Sequence, residues 1–209
     1  MYPKPIQQLI DLFSRFPGIG PRQATRFAFF ILKEKNPFIP ELVSALLEME
    51  AAISICADCF RTMEREGADI NRCTFCRDSR RDHGLIAVME KESDMQNMER
   101  TGAYHGLYHV LGGIIAPMDT ESPKRLRLKE LYQRVETTLK ENDECEVILA
   151  TNPTTEGDTT ALYIERILSP LKEKYSGLAL SRLGRGLSLG SELEYADEIT
   201  LKNALKNRR

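Results

Sequence analysis

The chain has 209 residues, of which 42% are hydrophobic and 29% charged, and its formal net charge at pH 7 is −2. These totals are typical of an ordinary soluble protein with one large domain or two to three small ones. No apolar run approaches the roughly 20 residues that span a bilayer, and the first residues lack the apolar core of a signal peptide. We therefore expect a cytoplasmic protein, in which any contact with nucleic acid depends on local charge.

The first 55 residues predict helices. The apolar residues of the first helix follow the spacing of a single buried face: Ile6, Leu9, Ile10 and Phe13. The turn at residues 16–21 (FPGIGP) separates it from a second helix, which has Pro21 in its first turn. A third helical pattern leads toward the first cysteines, with apolar residues at Leu42, Ala45, Leu46, Met49 and Ile53.

The turn between the first two helices has the features of an anion site. Gly18 and Gly20 permit a tight turn with exposed amides, and Arg22 and Arg26 share one face of the next helix. Residues 1–35 contain six basic side chains against two acidic ones: Lys4, Arg15, Arg22, Arg26, Lys33 and Lys35 against Asp11 and Glu34. The pattern resembles a helix-hairpin-helix module, which binds DNA phosphates without reading sequence. The alternative is a plain helical hairpin with a solvated arginine face, and the turn alone does not decide between them.

Two CxxC pairs give the strongest chemical signal in the chain. Cys56 and Cys59 form the first pair, and Cys73 and Cys76 form the second after a spacer of thirteen residues. This spacing predicts a closed, structural zinc site with four thiolate ligands. The spacer, residues 60–72, is mostly charged, so we expect metal binding to supply part of its folding free energy.

Disulfides or a redox CxxC are the alternatives to zinc. Disulfides are disfavoured because there are five cysteines and a reducing compartment is expected. A thioredoxin-type site requires one CxxC that opens a helix after a strand, whereas two pairs occur here. Cys145 precedes an apolar run and is predicted to be a small core residue rather than a nucleophile.

Beyond Cys76, strands alternate with helices, which predicts an α/β domain with a mainly parallel sheet. The strand candidates are residues 85–89, 104–113, 147–150 and 178–180, and the helix candidates are 93–100, 124–140 and a segment that opens at about residue 159. Glu90 follows the first of these strands, and Glu156 and Asp158 follow the third. Three carboxylates that meet at adjacent strand ends are a candidate for weak Mg²⁺ binding. Equally, Asp158 caps its helix and Glu90 only ends its strand.

The order of these parts resembles the RecR family of bacterial recombination mediators over essentially the whole chain. The resemblance is carried by residues 16–29 (FPGIGPRQATRFAF), the four cysteines, residues 104–113 (YHGLYHVLGG), 150–164 (ATNPTTEGDTTALYI) and 185–201 (RGLSLGSELEYADEITL). It implies four domains. They are a helix-hairpin-helix domain at 1–54, a four-cysteine zinc element at 55–80, a Toprim domain at 81–177 and a C-terminal segment at 178–209.

The resemblance also implies roles for particular residues. Gly18, Gly20, Arg22 and Arg26 match the DNA-contacting positions of the family, and the four cysteines match its zinc ligands. The acidic Toprim positions of the family, which support phosphoryl chemistry in topoisomerases and primases, match Glu90, Glu156 and Asp158. In RecR proteins that domain is not known as a catalyst and serves assembly and partner binding.

As a family member, the chain is expected to bind single- and double-stranded DNA and to form dimers or tetrameric rings in the nucleoid-associated cytoplasm. It is expected to act with RecO, and in some settings RecF, to load RecA at gaps and ends. The sequence departs from the family in two places. The acidic triplet reads Glu156-Gly157-Asp158 where a second Glu is usual, and residues 188 and 191 are serines where Pro and Gly are common.

A Mg²⁺-dependent Toprim nuclease or topoisomerase-like enzyme is the alternative function. It requires a positioned nucleophile beside the carboxylates. The tyrosines Tyr104 and Tyr108 lie in a strand-like run and are interpreted as core or interface residues. We therefore expect a protein that is not an enzyme.

Overall fold

The computed structural model of the chain describes residues 2–34, 37–65, 71–187, 190, 192–206 and 208. It divides into two compact units, Met1–Ile53 and Ser54–Arg209. Several residues used in the sequence analysis lie outside the described part: Lys35 and Asn36, residues 66–70 of the cysteine spacer, and Ser188, Leu189 and Ser191.

The first unit contains three helices, α1 (Lys4–Phe13), α2 (Pro21–Lys33) and α3 (Phe38–Ala52). Helices α1 and α2 pack against each other around a small core that uses the predicted apolar face of α1: Ile10, Ala24 and Ala28, with Ile6, Leu9, Phe13 and Ile19 partly buried. The small side chains of Ala24 and Ala28 let the two helices approach closely. This confirms the predicted helical hairpin.

The third helix is present, but its apolar residues are not buried. No residue of α3 is buried, and Leu46 and Met49 are 53% and 59% exposed. Periodicity identifies the helix but does not show whether the chain provides a surface to cover its apolar residues.

The second unit begins with the cysteine-containing segment. Strands β1 (Ile53–Ile55) and β2 (Thr62–Glu64) form a two-stranded sheet, and a single helical turn, α4 (Thr74–Arg77), follows the third cysteine. Phe60 adopts a positive φ of 63°, and its amide donates to the Cys56 carbonyl at 3.1 Å. This tight turn places the first two cysteines on one side of the loop.

A four-stranded parallel sheet forms the centre of this unit. Its strands are β3 (Asp82–Met89), β4 (Gly106–Val110), β5 (Cys145–Leu149) and β6 (Leu178–Arg182), in the order β4-β3-β5-β6. All three neighbouring pairs are parallel. The predicted α/β architecture is therefore confirmed, and the carboxyl ends of all four strands lie at one edge.

Helices cover both faces of the sheet. Residues Ile86 and Val88 of β3 face one core, formed largely with α7 (Leu128–Asn142) and α8 (Thr155–Lys174). The alternate residues of β3 face a second core that includes Met95 of α5 (Glu92–Arg100). A strand buried on both faces produces a continuous apolar run, and this explains the sequence of residues 85–89.

Two helix boundaries differ from the predicted ones. The segment predicted as one helix over 124–140 is divided into a short helix, α6 (Ser122–Arg125), and α7. In the break between the two helices, the Arg127 amide donates to the Leu111 carbonyl at 3.1 Å. Helix α8 begins at Thr155 rather than at about Thr159, because Thr154 caps it and accepts from the Gly157 amide at 3.0 Å. Glu156 and Asp158 therefore lie in the first turn of a helix.

The described residues that follow β6 form little regular structure, and none of them is buried. A short 3₁₀ turn spans Leu193–Tyr195, and a last helix, α9, spans Glu198–Lys206 without a buried residue. Among the described helices of the chain, none combines the length and apolarity that a bilayer crossing requires.

Candidate metal centre, acidic edge and nucleic-acid interface

The four paired cysteines converge on one point. All four side chains are buried, and their sulfurs lie within 4.8 Å of one another. The Cys59 and Cys73 sulfurs are 3.5 Å apart. Sulfurs bound to zinc in a tetrahedron at about 2.3 Å stand about 3.8 Å from each other. The four cysteines therefore fit a closed tetrahedral metal site.

Hydrogen bonds close the two cysteine loops around this point. The Cys73 amide donates to the Cys56 sulfur at 3.3 Å, and the Cys56 amide donates to the Arg61 carbonyl at 2.9 Å. The Arg72 guanidinium donates to the Asp58 carboxylate at 2.5 Å and so links the second loop to the first. An N–H group directed at a sulfur favours a thiolate, the form in which cysteine binds metal.

Cys145 has a different role. It is 2% exposed, at the start of β5, and belongs to the larger core of the sheet. Burial raises the pKa of its thiol to about 11. The neutral thiol is a small apolar side chain, as the sequence predicted.

Glu90 ends strand β3 and is 3% exposed. One carboxylate oxygen accepts from the Asn152 backbone amide at 2.8 Å, and the other accepts from the Asn152 side-chain amide at 2.6 Å. Both oxygens are therefore engaged by the loop between β5 and α8. Glu90 therefore links the carboxyl ends of the neighbouring strands β3 and β5.

Asp158 is engaged by the segment that follows β6. The Arg185 guanidinium donates to both of its carboxylate oxygens, with one contact at 3.1 Å, and Arg182 lies 3.5 Å away. The Arg185 contact holds the pKa of Asp158 below its usual range. Bidentate pairing of this kind fixes geometry as well as charge.

Glu156 is the exposed member of the three carboxylates. Within the described ranges of the chain, the four cysteines are the one set of three or more potential ligand side chains that converge for a metal. Glu90, Glu156 and Asp158 do not converge in that way. The structure thus places them at one sheet edge, as the strand order predicted, without bringing their oxygens together as a Mg²⁺ site.

Sequence reasoning missed the partners of these acids. Asn152 and Arg185 satisfy Glu90 and Asp158, and Gly157 lets the loop approach closely, since a Cβ there would lie 2.1 Å from the Asn152 carbonyl oxygen. The sequence offered one signal for Asn152, its position shortly after a buried strand. Arg185 lies 27 residues from Asp158, and periodicity gave no indication of that contact.

The turn between α1 and α2 has the expected geometry. Gly18 has a φ of 77°, which favours glycine, and Gly20 is the N-cap of α2 without a side-chain cap. Arg22 and Arg26 are exposed in the first two turns of α2, and neither makes an ion pair with another described residue. The helix N-terminus and both guanidinium groups are thus accessible to an anion.

Tyr104 and Tyr108 are held inside the sheet domain. The Tyr108 hydroxyl donates to Glu99, and the Tyr104 hydroxyl donates to the Leu107 carbonyl at 2.7 Å. Burial raises the pKa of both phenols. They therefore lack the ionisation and access that a nucleophile at the acidic edge requires.

Comparison with known proteins matches the whole arrangement. Three family models cover most of the chain: the helix-hairpin-helix of RecR at residues 6–49, a Toprim domain at 84–183 and the C-terminal part of RecR at 186–209. The chain is 45% identical over 208 residues to the recombination protein RecR of Cutibacterium acnes (strain DSM 16379 / KPA171202), covering 100% of this chain and 96% of the relative.

The chain belongs to the RecR family. This membership confirms the fold class predicted from the sequence, in which a helix-hairpin-helix, a four-cysteine element and a Toprim sheet follow one another. The name of the relative and the RecR-specific models agree with the expectation of a recombination protein that is not an enzyme. The four domain boundaries given above and the role of each site residue remain predictions.

The Glu90 contacts lead to a stability prediction. Replacing Glu90 by Gln removes the charge that both Asn152 donors contact and requires the Asn152 side-chain amide to turn its oxygen toward the new amide, so two buried charge-assisted hydrogen bonds become neutral ones. We expect the free energy of unfolding in urea to fall by about 1–3 kcal/mol. The matched change Glu156→Gln, at an exposed position of the same edge, should alter it by less than about 0.5 kcal/mol. Equal effects of the two changes would contradict a structural role for Glu90.

Proposed function

We propose that this RecR family member is a DNA-binding scaffold of recombinational repair that acts with RecO, and in some settings RecF, to load RecA at gaps and ends. It acts in the nucleoid-associated cytoplasm as a dimer or a tetrameric ring. The observation that carries the proposal is similarity to a recombination protein over the whole chain, with each expected element present.

The helix-hairpin-helix turn is the proposed DNA-binding site. Gly18, Gly20, Arg22 and Arg26 offer a helix N-terminus and two exposed guanidinium groups. Contacts of this kind neutralise phosphates and carry no base-specific information. We therefore propose binding to both single- and double-stranded DNA without sequence preference.

Zinc is the proposed metal of the four cysteines. Four thiolates in a closed, buried set favour a soft or borderline metal in tetrahedral geometry, and they leave no open position for catalysis. The metal would hold Cys56, Cys59, Cys73 and Cys76 and stabilise a segment with little apolar core of its own.

The acidic edge is the proposed contact for a basic protein partner, with RecO as the partner that the family resemblance implies. Glu156 is exposed there, whereas Glu90 and Asp158 are engaged within the chain. DNA phosphates are repelled by exposed carboxylates unless a cation intervenes. A Toprim enzyme that uses Mg²⁺ at this edge is disfavoured, because the oxygens of Glu90, Glu156 and Asp158 do not converge and the hydroxyls of Tyr104 and Tyr108 are hydrogen-bonded within the sheet domain.

Metal content tests the zinc proposal. Protein purified without chelators should contain about one Zn²⁺ per chain, and Cys76→Ser should lose zinc and thermal stability together. Cys145→Ala is the control, since Cys145 lies in the sheet core, and it should keep its zinc. Absence of zinc from the parent protein by atomic absorption would reject the proposal.

Salt dependence tests the DNA site. Replacing Arg22 and Arg26 by Ala should weaken DNA binding uniformly across sequences and flatten the log–log salt slope by roughly 1.5–2. A control double variant, Arg166→Ala with Lys172→Ala, removes two exposed cations of α8 and should leave the slope unchanged. An unchanged slope in the Arg22/Arg26 variant would make these arginines a solvated face only.

Charge-neutral variants test the acidic edge. Glu156→Gln with Asp158→Asn should weaken a salt-sensitive complex with RecO in pull-down titrations while zinc content is retained. The control, Glu130→Gln with Glu173→Gln, removes the same charge at exposed positions elsewhere and should bind normally. Normal RecO binding by the first variant, with loss of a Mg²⁺-dependent DNA cleavage seen in the parent, would favour the enzyme instead.

A further inference from the structure

The guanidinium of Arg134 links the cysteine centre to the parallel sheet. Arg134 lies in the second turn of α7, between the core residues Leu131 and Val135, and is partly buried. Its Nη1 donates to the Asp58 carbonyl at 2.8 Å and also to the Tyr108 carbonyl. Its Nη2 lies 3.9 Å from the Cys76 sulfur.

These three acceptors come from three different segments. Asp58 lies between the first two cysteines, Cys76 is the fourth of the clustered cysteines, and Tyr108 belongs to β4, an edge strand of the sheet. A second bond to the same strand runs from the Val110 amide to the Cys59 carbonyl at 2.9 Å. One planar side chain with several donors can serve all three acceptors at once, whereas lysine presents its donors from a single atom.

The charge of Arg134 also suits its position. A divalent metal with four thiolates carries a net charge of −2, and the thiolates repel one another at separations such as 3.5 Å. A cation whose N–H group points at one sulfur lowers that repulsion and orients the ligand. Arg134 also lines, with Asp58 and Thr138, a groove of about 370 Å³ beside the first cysteine loop.

We infer that Arg134 is a positioning residue of the metal centre: it holds the Cys76 sulfur and the first cysteine loop in place and offsets the charge of the thiolates. The inference depends on the proposed occupation of the four cysteines by a metal. Arg134 thereby supports both the binding of the metal and the contact between the cysteine element and β4.

Metal binding by Arg134 variants of the full chain tests this inference. Arg134→Met keeps the unbranched stem of the side chain and removes the guanidinium with its charge and donors, so we expect zinc affinity in chelator competition to fall about 10-fold. With Co²⁺ in place of zinc, the sulfur-to-cobalt absorption band should move to lower energy, because a sulfur that loses a hydrogen bond gives up electron density more readily. The bands typical of tetrahedral Co²⁺ should remain.

Two further variants make the outcome decisive. Arg134→Lys, which keeps the charge but not the three-way contact, should fall between the parent and Arg134→Met, and it provides the test if Arg134→Met does not fold. Lys129→Met removes an exposed cation of the same helix and should match the parent. Parent-like affinity and band position in the folded Arg134 variants would overturn the inference. A parent chain that binds neither zinc nor Co²⁺ would instead overturn the proposed metal centre.

Discussion

Burial of strand β3 on both faces is the constraint on which the larger unit depends. Residues 86–89 of this strand are at most 1% exposed, and the strand pairs with β4 on one side and β5 on the other. Glu90, at its carboxyl end, is 3% exposed, so its carboxylate must find partners in the protein. Asn152 provides both of them.

This requirement fixes the neighbouring loop and the start of α8. Because Asn152 is held by Glu90, the chain turns at once into the helix capped by Thr154, and Gly157 packs against the Asn152 carbonyl with no room for a Cβ. Asp158, in the first turn of that helix, pairs with Arg185. The same acidic residues that would form a cation site in a Toprim enzyme are thereby used to connect strand ends and the C-terminal segment.

The sequence predicted the elements whose signals are local. The two CxxC pairs, the Pro-Gly turn with Arg22 and Arg26, and the apolar run of β3 each combine residue type with a fixed spacing, and each was found where the spacing placed it. The expected start of α8, at about residue 159, is four residues too late, because Asp158 is also a good N-cap residue and the observed cap, Thr154, lies earlier in the chain.

Contacts between residues that are far apart in the sequence could not be predicted from local sequence patterns. Arg134 is 76 residues from Asp58, and Arg185 is 27 residues from Asp158. A charged residue on a helix face is usually solvated, and the sequence contains no signal that one guanidinium faces a sulfur and two carbonyls. The exposure of the apolar residues of α3 was missed for the same reason, since burial depends on what lies opposite a helix rather than on its own period.

The distribution of charge explains how a chain with a net charge of −2 suits the binding of a polyanion. Total charge acts at long range and is screened over about 8–10 Å at physiological ionic strength. Phosphate contacts form within that distance, so the local excess of basic residues around the α1–α2 turn affects the binding of a polyanion more than the net charge of the whole chain does. At the Toprim sheet edge, Glu90 accepts hydrogen bonds from Asn152 and Asp158 pairs with Arg185, whereas Glu156 is exposed. Arg185 offsets the charge of Asp158, whereas Glu90 keeps its charge in a buried position and Glu156 keeps its charge at the surface. The exposed charge of these three acids is thus confined to the first turn of α8, and screening by salt limits its repulsion of a phosphate to about the same distance.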